Sequence, residues 1–286
     1  MSSILKELSG EFIKVSSPIE YVLLVELSRG PVNAFTVPFW KEYGEVFRKI
    51  SLLPDVRAVV LASSLSKGFS AGLDFSGLDN LKTFDADPGR KALQIRADLK
   101  EFQEAIGGPE KCLCPVIVAV HGITLGLSID IMAACDVRYA ASDSMLSIKE
   151  VDVGLAADIG TLARLPKLAG NQSMVHEFAY TARNFSAAEA EKMGLVSKVV
   201  EGSRAEVVQA ALETAKLIAT KSPIAVLGTK KVLQHARDHT VAENMEYVAV
   251  WNGVMLQSSD LSDSFAAAIA RKKATFPPLF KTPAKL

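Results

Sequence analysis

Asp130 sits in Gly126-Leu127-Ser128-Ile129-Asp130-Ile131-Met132-Ala133-Ala134. On a helix its neighbours one turn away are Gly126, Leu127, Ala133 and Ala134, none of them a cation. An ionised carboxylate buried there is costly, and desolvation raises its pKa. Perturbed carboxylates of this kind gather in active sites. A wet helix face, or a core hydrogen bond to a backbone amide, accounts for Asp130 equally well in structural terms. Glu150 and Asp158 are a second anomaly, eight residues apart in Ile148-Lys149-Glu150-Val151-Asp152-Val153-Gly154-Leu155-Ala156-Ala157-Asp158. Gly154, Ala156 and Ala157 offer no bulk, so a flat ligand fits between the acids. Two carboxylates facing one cavity can divide acid and base roles. Asp158 has a plainer alternative, capping the helix expected from Thr161.

Two glycine-bearing turns could supply backbone donors. They are Phe69-Ser70-Ala71-Gly72-Leu73-Asp74 and Gly122-Ile123-Thr124-Leu125-Gly126-Leu127. Each leads toward a helix and so presents free N–H groups, and two such groups converging on one oxygen make an oxyanion hole. Gly126-Leu127-Ser128-Ile129-Asp130 approximates a nucleophile elbow, but Asp stands where the second glycine belongs, which argues against a serine hydrolase. No strand is followed by a phosphate loop or a Gly-x-Gly-x-x-Gly run. Cys112, Cys114 and Cys135 have no zinc spacing, and the four histidines do not cluster, so no metal site is expected. The thiols read as reduced and structural.

The elements that must carry these residues alternate. Tyr21–Leu27, Val56–Ala62 and Pro115–Val120 read as buried strands, with Asp136–Ala140 and Met145–Ile148 as shorter ones. A helix is expected up to Ile50, with Phe39, Tyr43, Val46, Phe47 and Ile50 at helical spacing. Residues 77–90 read as a mobile loop. Ile95, Leu99, Phe102 and Ile106 mark a helix that Gly107-Gly108-Pro109 ends. His121-Gly122 is expected to lead into a helix through Ala134. Ser186-Ala-Ala-Glu189 is a capping box with Gly194 as its stop. From Arg204 the chain reads as wholly helical. Strands separated by helices argue an α/β fold with largely parallel pairing, organised as residues 1–203 and a charged helical region 204–286.

The 286 residues are 49% hydrophobic and 22% charged, which excludes a disordered chain. Lys plus Arg is 32 and Asp plus Glu is 32, a zero net charge with no electrostatic case for nucleic acid or an anionic membrane. No apolar run is long enough for a transmembrane helix, and Lys6, Glu7 and Glu11 interrupt any signal-peptide core. The tail Ala284-Lys285-Leu286 has the small-basic-leucine form of a peroxisomal address. A peroxisomal location, with the import receptor as partner, is therefore expected.

Pro31-Val32-Asn33-Ala34-Phe35, the Ser70–Asp74 turn, the His121–Asp136 block and the Phe185–Val196 block resemble the crotonase superfamily, the enoyl-CoA hydratases and isomerases. Lys149-Glu-Val-Asp-Val-Gly-Leu-Ala-Ala-Asp-Ile-Gly-Thr-Leu162 is similar to one subgroup, the Δ3,5-Δ2,4-dienoyl-CoA isomerases. The resemblance implies a spiral of ββα repeats and a C-terminal helical trimerisation region, with trimers often stacked as hexamers. It implies an acyl-CoA thioester substrate, with CoA as part of the substrate and no separate cofactor. The thioester oxygen would meet the N–H groups of Leu73 and Leu127, and Ala71, Gly72, Leu73, Asp74, Phe75 and Leu127 would line the substrate site. Residues 276–281 would lend part of the CoA site to a neighbouring subunit. The subgroup's acids match Asp130, Glu150 and Asp158, and hydratases place a glycine where Asp158 stands. Gly126-Leu127-Ser128 departs from the family's common triple glycine. The resemblance implies transfer of a proton from C2 to C6 of a 3,5-dienoyl chain, with Glu150 as base, Asp158 as acid and Asp130 tuning the pair. Its rivals are an enoyl-CoA hydratase using Glu150 and Asp130, a Δ3-Δ2-enoyl-CoA isomerase, and a non-catalytic binding subunit.

Overall fold

In the computed structural model, β1 (Ile13–Ile19) and β2 (Val22–Leu27) pair antiparallel, with Ile13 opposite Leu27. β3 (Ala58–Ser63), β5 (Val116–Val120), β7 (Val137–Ala141) and β10 (Lys198–Val200) extend them in parallel, giving a six-stranded sheet in the order β1-β2-β3-β5-β7-β10. A second sheet has the order β4-β6-β8-β9, from β4 (Gly68–Ser70), β6 (Ile123–Leu125), β8 (Met145–Ser147) and β9 (Phe185–Ser186). Its first three strands are parallel, and β9 runs against β8. Each turn of the chain therefore leaves one strand in each sheet: β3 then β4, β5 then β6, β7 then β8. That is the expected spiral of ββα units. The structure describes residues 2–74 and 84–281. Phe75, residues 77–83 of the loop expected at 77–90, and the tail Ala284-Lys285-Leu286 lie outside them.

Helices α1 (Ser2–Leu8), α2 (Val37–Ile50), α3 (Pro88–Ile106) and α4 (Gly108–Lys111) precede the third turn of the spiral. α5 (Leu127–Ala134) leaves β6, and α6 (Thr161–Leu168), α7 (Gln172–Thr181) and α8 (Ala187–Met193) follow β8. Ser186 and Glu189 form the expected capping box of α8, and Gly194 ends it with φ +94°. α9 (Arg204–Ala219), α10 (Pro223–His235), α11 (Val241–Met255) and α12 (Ser259–Ile269) complete the chain's regular structure.

The centre of the six-stranded sheet, β3 and β5, is buried on both faces, which explains its unbroken apolar runs. Val59, Leu61, Val116, Val118 and Val120 face the large core with α2 and α5. Their alternates Ala58, Val60, Ala62, Ile117 and Ala119 face α9, which buries Val207, Val208, Ala211, Leu212 and Ala215. The helical region beginning at residue 204 thus opens with a helix that covers the spiral's second face. Residues 276–281 also run back over their own chain, where Leu279 N–H donates to Pro54 O at 3.0 Å and Arg57 Nη2 to Phe276 O at 2.9 Å. Three expectations fail in detail: α3 begins at Pro88, inside the loop expected at 77–90; residues 270–281 are not helical, although the chain is expected to be so throughout from Arg204; and the helix after His121-Gly122 starts late. Ile123–Leu125 is strand β6, not the first turn of the helix, and α5 starts only at Leu127. The second sheet takes these three residues between β4 and β8 before the helix forms.

Candidate active site

The segment before α2 fixes the first glycine turn. Asn33 is fully buried and adopts φ +50°. Its Nδ2 donates to Ser63 Oγ at 2.8 Å and to Phe69 O at 2.9 Å, and its Oδ1 accepts from Arg29 N–H at 2.7 Å. Ser70 Oγ donates to Asn33 O at 2.6 Å and accepts from Gly72 N–H at 3.0 Å. Leu73 then sits opposite Phe35 in an isolated parallel bridge, made by Phe35 N–H to Gly72 O and Asp74 N–H to Phe35 O. In such a bridge the N–H of Leu73 itself points away from Phe35. Asp74 pairs with Arg29 at 3.0 Å.

Leu127 is the first residue of α5, a position with no N–H partner inside the helix. The two turns touch. A Cβ on Gly72 would lie 3.5 Å from Leu127 N and 2.9 Å from Leu125 O. Ser128 Oγ ties the start of α5 to Ser70 O at 2.9 Å. The turn at Gly72 thus lies against the start of α5 at Leu127, and two backbone donors that converge on one oxygen polarise it.

Glu150 feels the charge of Asp158 and acts on Asp130 in turn, but the cavity that Asp158 lines does not include Glu150 or Asp130. Asp130, 1% exposed, accepts at Oδ1 from Thr161 N–H at 2.6 Å. Burial, reinforced by the charge of Glu150, raises its pKa to about 7, against the pull of the Thr161 amide and the Arg164 guanidinium. Glu150 opens a single 3-10 turn, Glu150–Val153, and its carboxylate lies over Gly126, whose Cβ would be 3.3 Å from Oε1. That position is the positive end of α5. Its Oε2 is buried with no hydrogen-bond partner among the described residues. Burial raises the Glu150 pKa, and the charge of Asp158 pushes the same way. Burial also raises the pKa of Asp158, which lies partly open on the rim of a cavity of about 490 Å³ with Gln103, Ala157, Ile159, Gly160 and Ala163. Gln103 Nε2 donates to Asp158 O at 2.6 Å.

Asp158 does not cap α6; the N-cap is Gly160. Asp130 combines both of its readings, since it bonds a core amide and also faces Glu150. Thr161 and Arg164 are the positioning residues the motifs left without a role. Arg164 is held by Glu110 Oε2 at 2.8 Å, and its guanidinium occupies the space a side chain on Gly160 would need. Asn33, quoted within a motif, gained its role only from its hydrogen bonds to Arg29, Leu27, Ser63, Phe69 and Ser70. Among the described residues no group of three or more His, Cys, Asp or Glu side chains is arranged to hold a metal ion.

The sequence matches the enoyl-CoA hydratase/isomerase family over residues 19–276. It is 46% identical over 268 residues to the human mitochondrial Δ(3,5)-Δ(2,4)-dienoyl-CoA isomerase, covering 93% of this chain and 81% of the relative. It is 40% identical over 248 residues to the peroxisomal enzyme of that name from Arabidopsis thaliana, covering 86% and 88%. In structure it is similar to an enoyl-CoA hydratase from Bacillus anthracis, with a TM-score of 0.83 at 25% identity, over 93% of this chain and 99% of the other.

Proposed function

The chain belongs to the enoyl-CoA hydratase/isomerase family, and from that premise we propose that it converts 3,5-dienoyl-CoA to the conjugated 2,4-dienoyl-CoA. The observation that carries this reading is the third acid. Asp158 lies within electrostatic reach of Glu150, and burial raises the pKa of both. A hydration needs a positioned water and one acid–base pair. A shift of a proton from C2 to C6 needs two carboxyl groups spread along the chain, and the relatives at 40–46% identity carry the name of that reaction.

The N–H groups of Leu73 and Leu127 hold the thioester oxygen and stabilise the dienolate, each donor worth about 2.7–4 kcal/mol of barrier. Glu150 removes the C2 proton. Asp158 delivers a proton to C6. Asp130, protonated over part of the neutral range, leaves the negative charge of the buried pair on Glu150. Only protons move, so the proposal calls for no metal or redox cofactor, and CoA arrives as part of the substrate. In fatty-acid breakdown this reaction would return misplaced double bonds to a conjugated form. We assign homo-oligomer formation to α10–α12. The named relatives are mitochondrial and peroxisomal. The tail Ala284-Lys285-Leu286 supports the peroxisomal alternative, checked by whether a reporter fusion turns cytosolic without it.

Incubating the protein with 3,5-dienoyl-CoA should raise the ultraviolet absorption of a conjugated diene. Asp158→Asn should slow that rise by roughly 10²–10⁴-fold, the usual worth of one general acid or base, and Glu150→Gln by at least as much. Near-full activity of Asp158→Asn would remove Asp158 from the mechanism, and no diene from the native protein would put the hydratase first.

A further inference from the structure

Cys112 and Cys114 lie away from this site, at the bend between α4 and β5. Their Sγ atoms are 3.6 Å apart and share a hydrogen bond. Cys112 is fully buried and Cys114 is 6% exposed. Lys230, from α10, places a buried ammonium against the same bend. Its Nζ donates to Cys114 O at 3.1 Å, to Pro109 O at 2.8 Å and to Asp136 Oδ2 at 2.7 Å. The sulfur of Cys112 is therefore surrounded by groups that favour a thiolate: the Cys114 S–H, then the Lys230 charge and the Ser51 hydroxyl. They hold the Cys112 thiol below its ordinary pKa despite burial, whereas Cys114 is pushed well above it by its hydrogen bond to Cys112 and by burial. Cys135, with burial as the main influence, is raised as well. The 3.6 Å contact puts each sulfur within reach of the other once one is oxidised, and the groups around Cys112 favour it as the thiolate.

We propose that Cys112 and Cys114 form a dithiol oxidation site that takes a small hydroperoxide and closes to an intramolecular disulfide. The Cys112 thiolate attacks a peroxide oxygen. An S–O bond forms, the O–O bond breaks, and the departing hydroxide or alkoxide takes up a proton as water or alcohol. The Cys114 sulfur then attacks the sulfenic sulfur of Cys112. The S–S bond forms, the S–O bond breaks, and the hydroxide leaves with the Cys114 proton as water. The dithiol loses two electrons and two protons, and the peroxide is reduced. The sulfurs must close by about 1.5 Å to reach a disulfide length. The bend can absorb that movement because residues 112–114 belong to no strand. Cys114, the less buried of the two, lines a narrow cleft with Pro223, Val226, Leu227 and Leu279, and this is the side on which the pair lies nearest solvent. The inference does not depend on the isomerase reading.

The test treats the reduced, full-length protein with hydrogen peroxide, then unfolds it in N-ethylmaleimide and weighs it. The expected result is a mass lower by two hydrogens before labelling and one labelled cysteine instead of three, with the bond mapped to the Cys112-Leu113-Cys114 peptide. Cys135→Ser should oxidise in the same way. Cys114→Ser should stop at a sulfenic acid on Cys112 that dimedone traps, and Cys112→Ser should form neither. The folded protein should close the bond at least tenfold faster than the isolated peptide. Three labelled cysteines after treatment, oxygen addition without a disulfide, a bond to Cys135, or a rate no faster than the peptide would each overturn the proposal.

Discussion

Asp130 shows what it costs to keep a carboxyl group in a dry helix. With its folded pKa raised to about 7, the native state holds a proton that an unfolded chain releases near pH 4. Between those values the folded state binds more protons, so this residue makes stability fall as pH rises. Asparagine would keep the acceptor for Thr161 N–H, and its NH2 group would have the Glu150 carboxylate as a neighbour instead of repelling it. In urea unfolding, the advantage of Asp130→Asn over the native protein should be larger at pH 8 than at pH 4 by about 1–4 kcal/mol. A difference that does not change with pH would show that the charge of Asp130 is stabilised by something other than the groups described. The anomaly of this residue was legible in the sequence because every neighbour one turn away is apolar. Its partner was not, since Thr161 lies 31 residues downstream and contributes a backbone amide, which no side-chain pattern marks.

At the scale of elements, the site is a junction between two turns and two helix starts. Gly72 shows how tightly they meet. Its φ of +93° lies in the left-handed region, and a Cβ there would sit 2.9 Å from Leu125 O, a backbone atom that cannot swing aside. Gly72→Ala should cost about 1–3 kcal/mol in unfolding free energy. It should also lower turnover at least tenfold, because the strain is relieved by moving Leu73 N–H away from Leu127 N–H. An unchanged kcat with the stability loss intact would separate the turn from catalysis. β2, β3 and β5 were legible because they are buried on both faces and read as continuous apolar runs, whereas the edge strands β1 and β10 are part-exposed and carry no such run. The short strands β4 and β6 were not, since three residues carry no period. α5 was legible as apolar but not as a face: all eight of its residues are buried, so it has no polar side to set a phase.

At the scale of the whole molecule, the C-terminal helices carry much of the exposed apolar surface among the described residues, and association of copies is proposed there. α11 has no buried residue, and Leu233, Val241, Met245, Val250 and Val254 remain more than 60% exposed. Five apolar residues of these helices, Val248, Trp251, Met255, Phe265 and Ile269, fall into two groups. Val248, Trp251 and Met255 line a cavity of about 450 Å³ between α10, α11 and α12, whereas Phe265 is 64% and Ile269 86% exposed. Side-chain periodicity could not make that division, because α11 is apolar on several sides and the choice depends on where α10 and α12 lie. Exposed apolar area of this extent marks an association surface, and closed symmetry is the usual way to cover it. Sedimentation at micromolar concentration should therefore show a trimer or a dimer of trimers. Phe265 and Ile269 contribute little to the monomer's own core, so Phe265→Asp with Ile269→Asp should leave the subunit folded by circular dichroism. The same pair should shift the mass toward monomer, since each large apolar side chain buried in an interface is worth about 1.5–3 kcal/mol. A native protein that sediments as a monomer would refute the assembly, and a charged double variant that keeps the native mass would place the interface elsewhere than on α12.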